Sequence, residues 1–238
     1  MLAYGVIADF MDEYVRIGES TAMESLEKFV KAVVSIFSDE YLRLPNNKDI
    51  ARLLEVGQSL GFQEMLESID CMHWKWKNCL AAWKGIYIGH IHELTVILEA
   101  VASHDLWIWH AFFGLSGSHN DINVLDRSSI FSELIKGCAP TVNYLINGND
   151  YTMRYFLVDG IYPKWLTFMK TIPSPQEEKR KCFAELQEST MKDVERAFGV
   201  LQARFTIIRQ PATFFYLETL RDIMKACIIL HNMIIGDE

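Results

Sequence analysis

The chain predicts an α/β fold: a mixed sheet in the order β-β-β-α-β with further helices, entered through a helical N-terminal extension. Three observations carry that expectation. Residues 1–61 place apolar side chains at helical intervals. Residues 62–158 hold four short runs of aliphatic, β-branched and aromatic residues set off by turn formers. Farther on, Val194, Phe198, Leu201, Phe205 and Ile208 recur at spacings of 4, 3, 4 and 3, the buried stripe of a helix. With 238 residues, 50% hydrophobic, the chain can bury one substantial core.

The elements follow in order. Thr21 and Glu24 have capping-box spacing, and Met23, Leu26, Val30, Val33, Phe37 and Tyr41 continue a helical stripe until Pro45. A second helix spans 49–60 and is closed by Gly61, so 1–61 forms a helical segment before a main domain at 62–238. Two roles are open for that segment, a truncated helix-turn-helix remnant or packing against the core, and its acidity favours packing. The run 65–69 predicts a strand ending at Asp70. Runs 93–102 and 106–113, parted by Ser103-His104-Asp105, predict a hairpin that completes an antiparallel meander with that strand. Asn120 or Asp121 can cap a helix running through 130–135 to Gly137. Residues 155–158 then predict a fourth strand delivering Asp159, with Gly160 and Pro163 bending the chain just after it.

Asp70 and Asp159 thus stand at predicted strand ends, and Glu195 lies one residue off a helical stripe. Carboxylates gathered together repel one another unless a cation sits between them. Hard divalent ions take oxygen ligands, and two such ions about 4 Å apart suit phosphodiester cleavage, so the trio reads as a metal-dependent nuclease centre. It is expected to converge, the two aspartates on adjacent strands and Glu195 on a helix lying across the sheet. Lys192, Gly199 and Gln202 share the face of Glu195, and Gly199 leaves space for a metal or a DNA strand. The competing reading of Glu195 is a surface ion pair with Lys192.

The stretches ESIDCMHWKWKNCLAAWKGIYIGH, VASHDLWIWHAFFGLSGSHNDINVLDRS, VDGIYPKW and KDVERAFGVLQARF closely resemble the plant branch of the PIF/Harbinger transposase family and its domesticated nuclease-like relatives. The resemblance runs from about residue 61 to about residue 234. It implies an RNase H-like DDE nuclease domain whose catalytic and metal-binding positions are Asp70, Asp159 and Glu195. It further implies two Mg²⁺ or Mn²⁺ ions, DNA as substrate, a Myb-like DNA-binding partner protein, a nuclear location and a longer N-terminal region. Water or a DNA 3′-hydroxyl would be the nucleophile. Arg154, where relatives usually carry glycine, and Leu80 and Ile86 depart from the family pattern. The alternative is a domesticated, catalytically inactive nuclear protein-interaction module.

Charge tempers the nucleic-acid reading, because the net charge is −8. The excess is local: residues 1–70 hold 13 acidic against 6 basic side chains, whereas 164–209 hold nine basic against six acidic. No apolar run approaches the roughly 20 residues of a membrane-spanning helix, and the first residues lack the basic start of a secretion signal. An intracellular chain with reduced cysteines is expected. Cys71, His73, Cys79, His90 and His92 lack zinc-finger spacing, and His73 reads as a support of the acidic site or as packing under Trp74. Trp74, Trp76 and Trp83 interleave with lysines, a pattern open to base stacking or to core packing. His119 and Asp121 are candidates to orient a water, with capping a sufficient role for Asp121. No Walker loop, dinucleotide fingerprint or GxSxG elbow is present.

Overall fold

The computed structural model describes residues 1–89, 92–128, 144–146, 149–151, 154–163, 165 and 167–238. Three helices come first: α1 (Ala8–Val15), α2 (Glu19–Tyr41) and α3 (Asn47–Ser59). Helix α2 buries Ala22, Leu26, Val30 and Val33, the stripe read from the sequence. Its start differs from expectation. Gly18 precedes it without a side-chain cap, and Thr21 and Glu24 lie inside the helix. The capping box belongs to α3, where the Asn46 side chain accepts the Lys48 and Asp49 amides and the Asp49 carboxylate accepts the Asn46 amide at 2.9 Å. An Asn–Asp pair at this spacing satisfies the same amides as the Ser/Thr–Glu pair. Helix α3 then lies close on the sheet: a Cβ at Gly57 would stand 2.9 Å from the Met65 carbonyl oxygen.

The strands are β1 (Met65–Lys75), β2 (Thr95–Ala102), β3 (Ile108–Ser116), β6 (Tyr155–Val158) and β7 (Phe168–Lys170), ordered β3-β2-β1-β6-β7 in a five-stranded sheet. Two short strands, β4 (Tyr144–Ile146) and β5 (Asn149–Tyr151), pair apart from it. Between strands lie the short helices α4 (Lys84–Tyr87) and α5 (Asp121–Leu125). The antiparallel β1-β2-β3 meander matches the sequence reading, and β6 runs parallel to β1, making the sheet mixed. Strand β7, parallel to β6, was not legible in its three residues.

Three boundaries are corrected. Strand β1 does not end at Asp70 but continues to Lys75, because Met72 and Trp74 keep the alternation while β2 pairs through to Thr95. Strand β3 passes through Gly114, whose φ of +121 accommodates a bulge where a strand end was expected. Asn120, not Asp121, caps α5 by accepting the Asn123 amide. The rest of the helix expected at 130–135 lies outside the described residues.

Helix α6 (Glu178–Arg204) follows, then α7 (Thr206–Arg209) and α8 (Leu217–Asp237). Val194, Phe198, Leu201, Phe205 and Ile208 are all buried, though α6 ends at Arg204 and the stripe passes through Phe205 into α7. One sheet face packs Trp74, Trp76, Val96 and Leu98 against α6, α8 and α2. The other buries Ile69, Val101, Phe156, Val158 and Tyr162. The Trp74 and Trp76 indoles donate to the Gln210 and Phe214 carbonyls at 2.8 and 2.7 Å, so both tryptophans are core residues and not a base-stacking surface. Among the described residues, Cys79, Cys182 and Cys227 are free thiols. Among the described residues, no helix is long and apolar enough to cross a membrane.

Candidate active site

Strands β1 and β6 set the geometry. Ser68 pairs with Leu157 in the parallel register, and Asp70 and Asp159 each follow two residues farther on, Asp159 just past the last residue of β6. In-register residues of adjacent parallel strands lie about 4.8 Å apart and point to the same face. That face is the one covered by α6. Tyr155 and Leu157, which alternate with Phe156 and Val158, pack there with Met65, Phe183 and Met191, and Asp159 follows at the end of the strand. On β1, Ser68 donates to the Thr190 carbonyl of α6 at 3.3 Å and Met72 receives the Gln202 amide at 3.2 Å. Asp70 lies between those two contacts.

Glu195 sits on the corresponding stretch of α6. Gln187 donates to the Met169 carbonyl of β7, Met191 packs beside β6, and Gln202 reaches Met72 of β1. Glu195 is one turn beyond Met191 on this margin, which follows the β6 side of the sheet. It is exposed, as is Asp159, whereas Asp70 is half-buried. Among the described residues no ion pair joins Glu195 to Lys192. A Cβ at Gly199, one turn farther on, would meet nothing within 4 Å, so the surface beside Glu195 is open.

Each aspartate is held locally. Asp70 Oδ1 accepts the Cys71 amide at 2.8 Å, and Asp159 Oδ1 accepts the amide of Gly160, the residue that turns the chain after β6. Asp70 thus lies inside β1, Asp159 directly after β6, the strand paired with β1, and Glu195 on α6. The structure does not draw the side chains into a ligand cluster: among the described residues no group of three or more His, Cys, Asp or Glu is placed to hold a metal ion. The donor set is nonetheless all carboxylate oxygen, which suits hard cations of the Mg²⁺ or Mn²⁺ type.

Other candidates take different places. His73 is exposed on the opposite side of β1, where its Nδ1 meets Thr95 Oγ1 at 3.0 Å, so it neither supports Asp70 nor packs under Trp74. His119 Nδ1 is 2.8 Å from Ser116 Oγ and serves its own loop. The sequence reading missed a group on the other margin of α6. There the buried Asp193 carboxylate receives His104 Nδ1 and Arg196 at 2.8 Å each, and Arg196 also donates to the His104 carbonyl. These bonds pin the β2–β3 turn to α6 and so fix the rotation that gives Glu195 its margin. The signal was available in the stripe itself, because Asp193 precedes Val194 on the buried side.

The chain is an α/β domain with a mixed, open five-stranded sheet and packed helices. The chain belongs to the plant transposon protein family, which it matches over residues 39–238. It is therefore related to plant transposon proteins, a family that suggests transposase-related function. No curated protein and no solved structure matches it.

Proposed function

We propose that this chain is a transposase-derived, metal-dependent DNA nuclease with an RNase H-like core, in which Asp70, Asp159 and Glu195 act as catalytic metal ligands. The observation that supports this reading is the parallel Ser68–Leu157 pair, from which Asp70 and Asp159 each follow two residues on, with Glu195 on the helix that packs against β1 and β6. Nothing in stability requires three acids there, since each would be better solvated apart. Bound Mg²⁺ or Mn²⁺ supplies Lewis-acid polarisation of the phosphate and activation of the nucleophile. The chain's own groups do the rest. The three carboxylates hold the cations, the peptide amides of Cys71 and Gly160 orient the two aspartates, and the open surface at Gly199 admits the DNA strand. A Myb-like partner would supply DNA recognition that a chain of net charge −8 lacks, and a nuclear location follows from such a substrate.

The test is DNA cleavage by purified protein, with and without a Myb-like partner, in Mg²⁺ or Mn²⁺. Glu195→Gln keeps shape and helix propensity but removes the anionic ligand. Cleavage should fall by more than the roughly 10–100-fold typical of lost outer-shell partners of a metal site, with an unchanged circular dichroism spectrum. A mutant that cuts as well as wild type would sink the assignment. A second reading, a domesticated module that binds a nuclear partner and no longer cuts, is favoured by the ungathered state of the three side chains. Wild-type protein that binds its partner yet never cuts under either metal selects it.

A further inference from the structure

A groove of about 400 Å³ runs between the N-terminal segment with α1 and the stretch joining α7 to α8. Its lining combines exposed apolar and acidic side chains. Ile7, Phe215 and Tyr216 line it while 57%, 56% and 64% exposed. Asp9, Glu19 and Glu27 also line it, and no lysine or arginine does. Large apolar side chains left open to water beside polar neighbours mark interaction surfaces. Carboxylates of one sign around them select against nucleic acid, whose phosphates they repel, and for cationic partners.

Both walls are already built. The Asn78 side-chain amide donates to the Thr213 carbonyl at 2.6 Å, and Ala212 accepts the Lys77 amide at 2.9 Å while donating to the Lys75 carbonyl at the end of β1 at 2.8 Å, fixing the wall that bears Phe215 and Tyr216. Opposite, the amides of Thr206 and Ile207 donate to the Ala3 and Leu2 carbonyls at 3.0 and 3.2 Å, pinning the N-terminal segment to α7. A preformed groove loses little conformational freedom when it is filled.

We infer that this groove docks a positively charged segment of a partner protein, which inserts an apolar side chain between Ile7 and Phe215 and sets lysines or arginines against Asp9, Glu19 and Glu27. Tyr216 and Phe215 offer ring faces to the same cations. The inference uses none of Asp70, Asp159 and Glu195 and is independent of the nuclease reading.

The probe is a fluorescein-labelled peptide, KRWLRK, followed by anisotropy against the full chain, with EEWLEE as its charge-inverted control. Wild type should bind the basic peptide, more weakly as salt rises, and not the acidic one. Glu19→Lys combined with Glu27→Lys should weaken binding by about tenfold or more, and so should Phe215→Ser combined with Tyr216→Ser, which alters only exposed side chains and should leave the fold intact. Glu185→Lys with Glu188→Lys changes net charge equally on exposed α6 positions away from the groove and should leave binding within about twofold. Three outcomes overturn the inference: no binding of the basic peptide, equal losses in the α6 control, or sedimentation showing a wild-type dimer that the Glu19→Lys, Glu27→Lys variant dissociates, which would make the occupant a second copy of the chain.

Discussion

Glu67 shows how much of this protein is decided by single side chains. It lies in β1, 3% exposed, with Oε1 buried and lacking a hydrogen-bond partner. Burial first and the nearby Asp105 charge second push its carboxyl well above the usual carboxylate range, against a smaller pull from Arg52. A raised carboxyl contributes stability below the unfolded pKa of 4.5, and that contribution is lost as pH climbs through the folded value. Glu67→Gln carries a neutral side chain at every pH. It should therefore raise the melting temperature at neutral pH and leave it nearly unchanged below pH 4.5. Thermal melts from acid to neutral pH read this directly, and a variant melting below wild type at neutral pH would contradict it. Nothing in the alternation of β1 distinguishes Glu67 from Asp70 as a buried acid; only the packing of α3 and the β2–β3 turn over it does.

Among elements, the contact between α2 and α8 turns on one side chain. Asn232, fully buried in α8, accepts the Ile108 amide at 2.9 Å and donates to the carbonyls of Ile108 and Tyr41 at 2.7 and 2.6 Å. It thus closes the first residue of β3 and the last turn of α2 with a single amide. Asn232→Ala would leave those three backbone groups without their partner inside the core, at a cost of about 3 kcal/mol. The urea midpoint should drop accordingly with an unchanged slope, and a loss under about 1 kcal/mol would mean water replaces the amide. The helices were legible because α2 and α6 carry long stripes at helical spacing. Their caps were not, since a Thr–Glu pair and an Asn–Asp pair at the same spacing compete and the chain's path chooses between them. The three residues of β7 are too few for any periodicity to reveal.

At the scale of the molecule, a cation held by Asp70, Asp159 and Glu195, as proposed, would act on the stability of the fold. A metal that binds only the folded arrangement stabilises it, by about 2.7 kcal/mol when free metal stands at about 100 times Kd. Millimolar Mg²⁺ or Mn²⁺ should therefore raise the melting temperature of wild type, and Asp159→Asn should respond less. An identical response in both proteins would show that the metal binds elsewhere. The acidic excess is concentrated in residues 1–70, while 164–209, which contains all of α6, holds nine basic against six acidic side chains.

The kinds of element, the antiparallel meander and the presence of a fourth strand were legible along the chain, because alternation and helical stripes depend on neighbouring residues. The sequence also singled out Asp70, Asp159 and Glu195, through motifs that stand out locally. That β1 outruns Asp70, that Trp74 and Trp76 are core, that His73 lies on the other side of β1 and that His104, Asp193 and Arg196 join the β2–β3 turn to α6 came from long-range contacts. Each of these depends on residues tens of positions apart meeting across the sheet, where register and packing choose between side-chain environments that look alike along the chain.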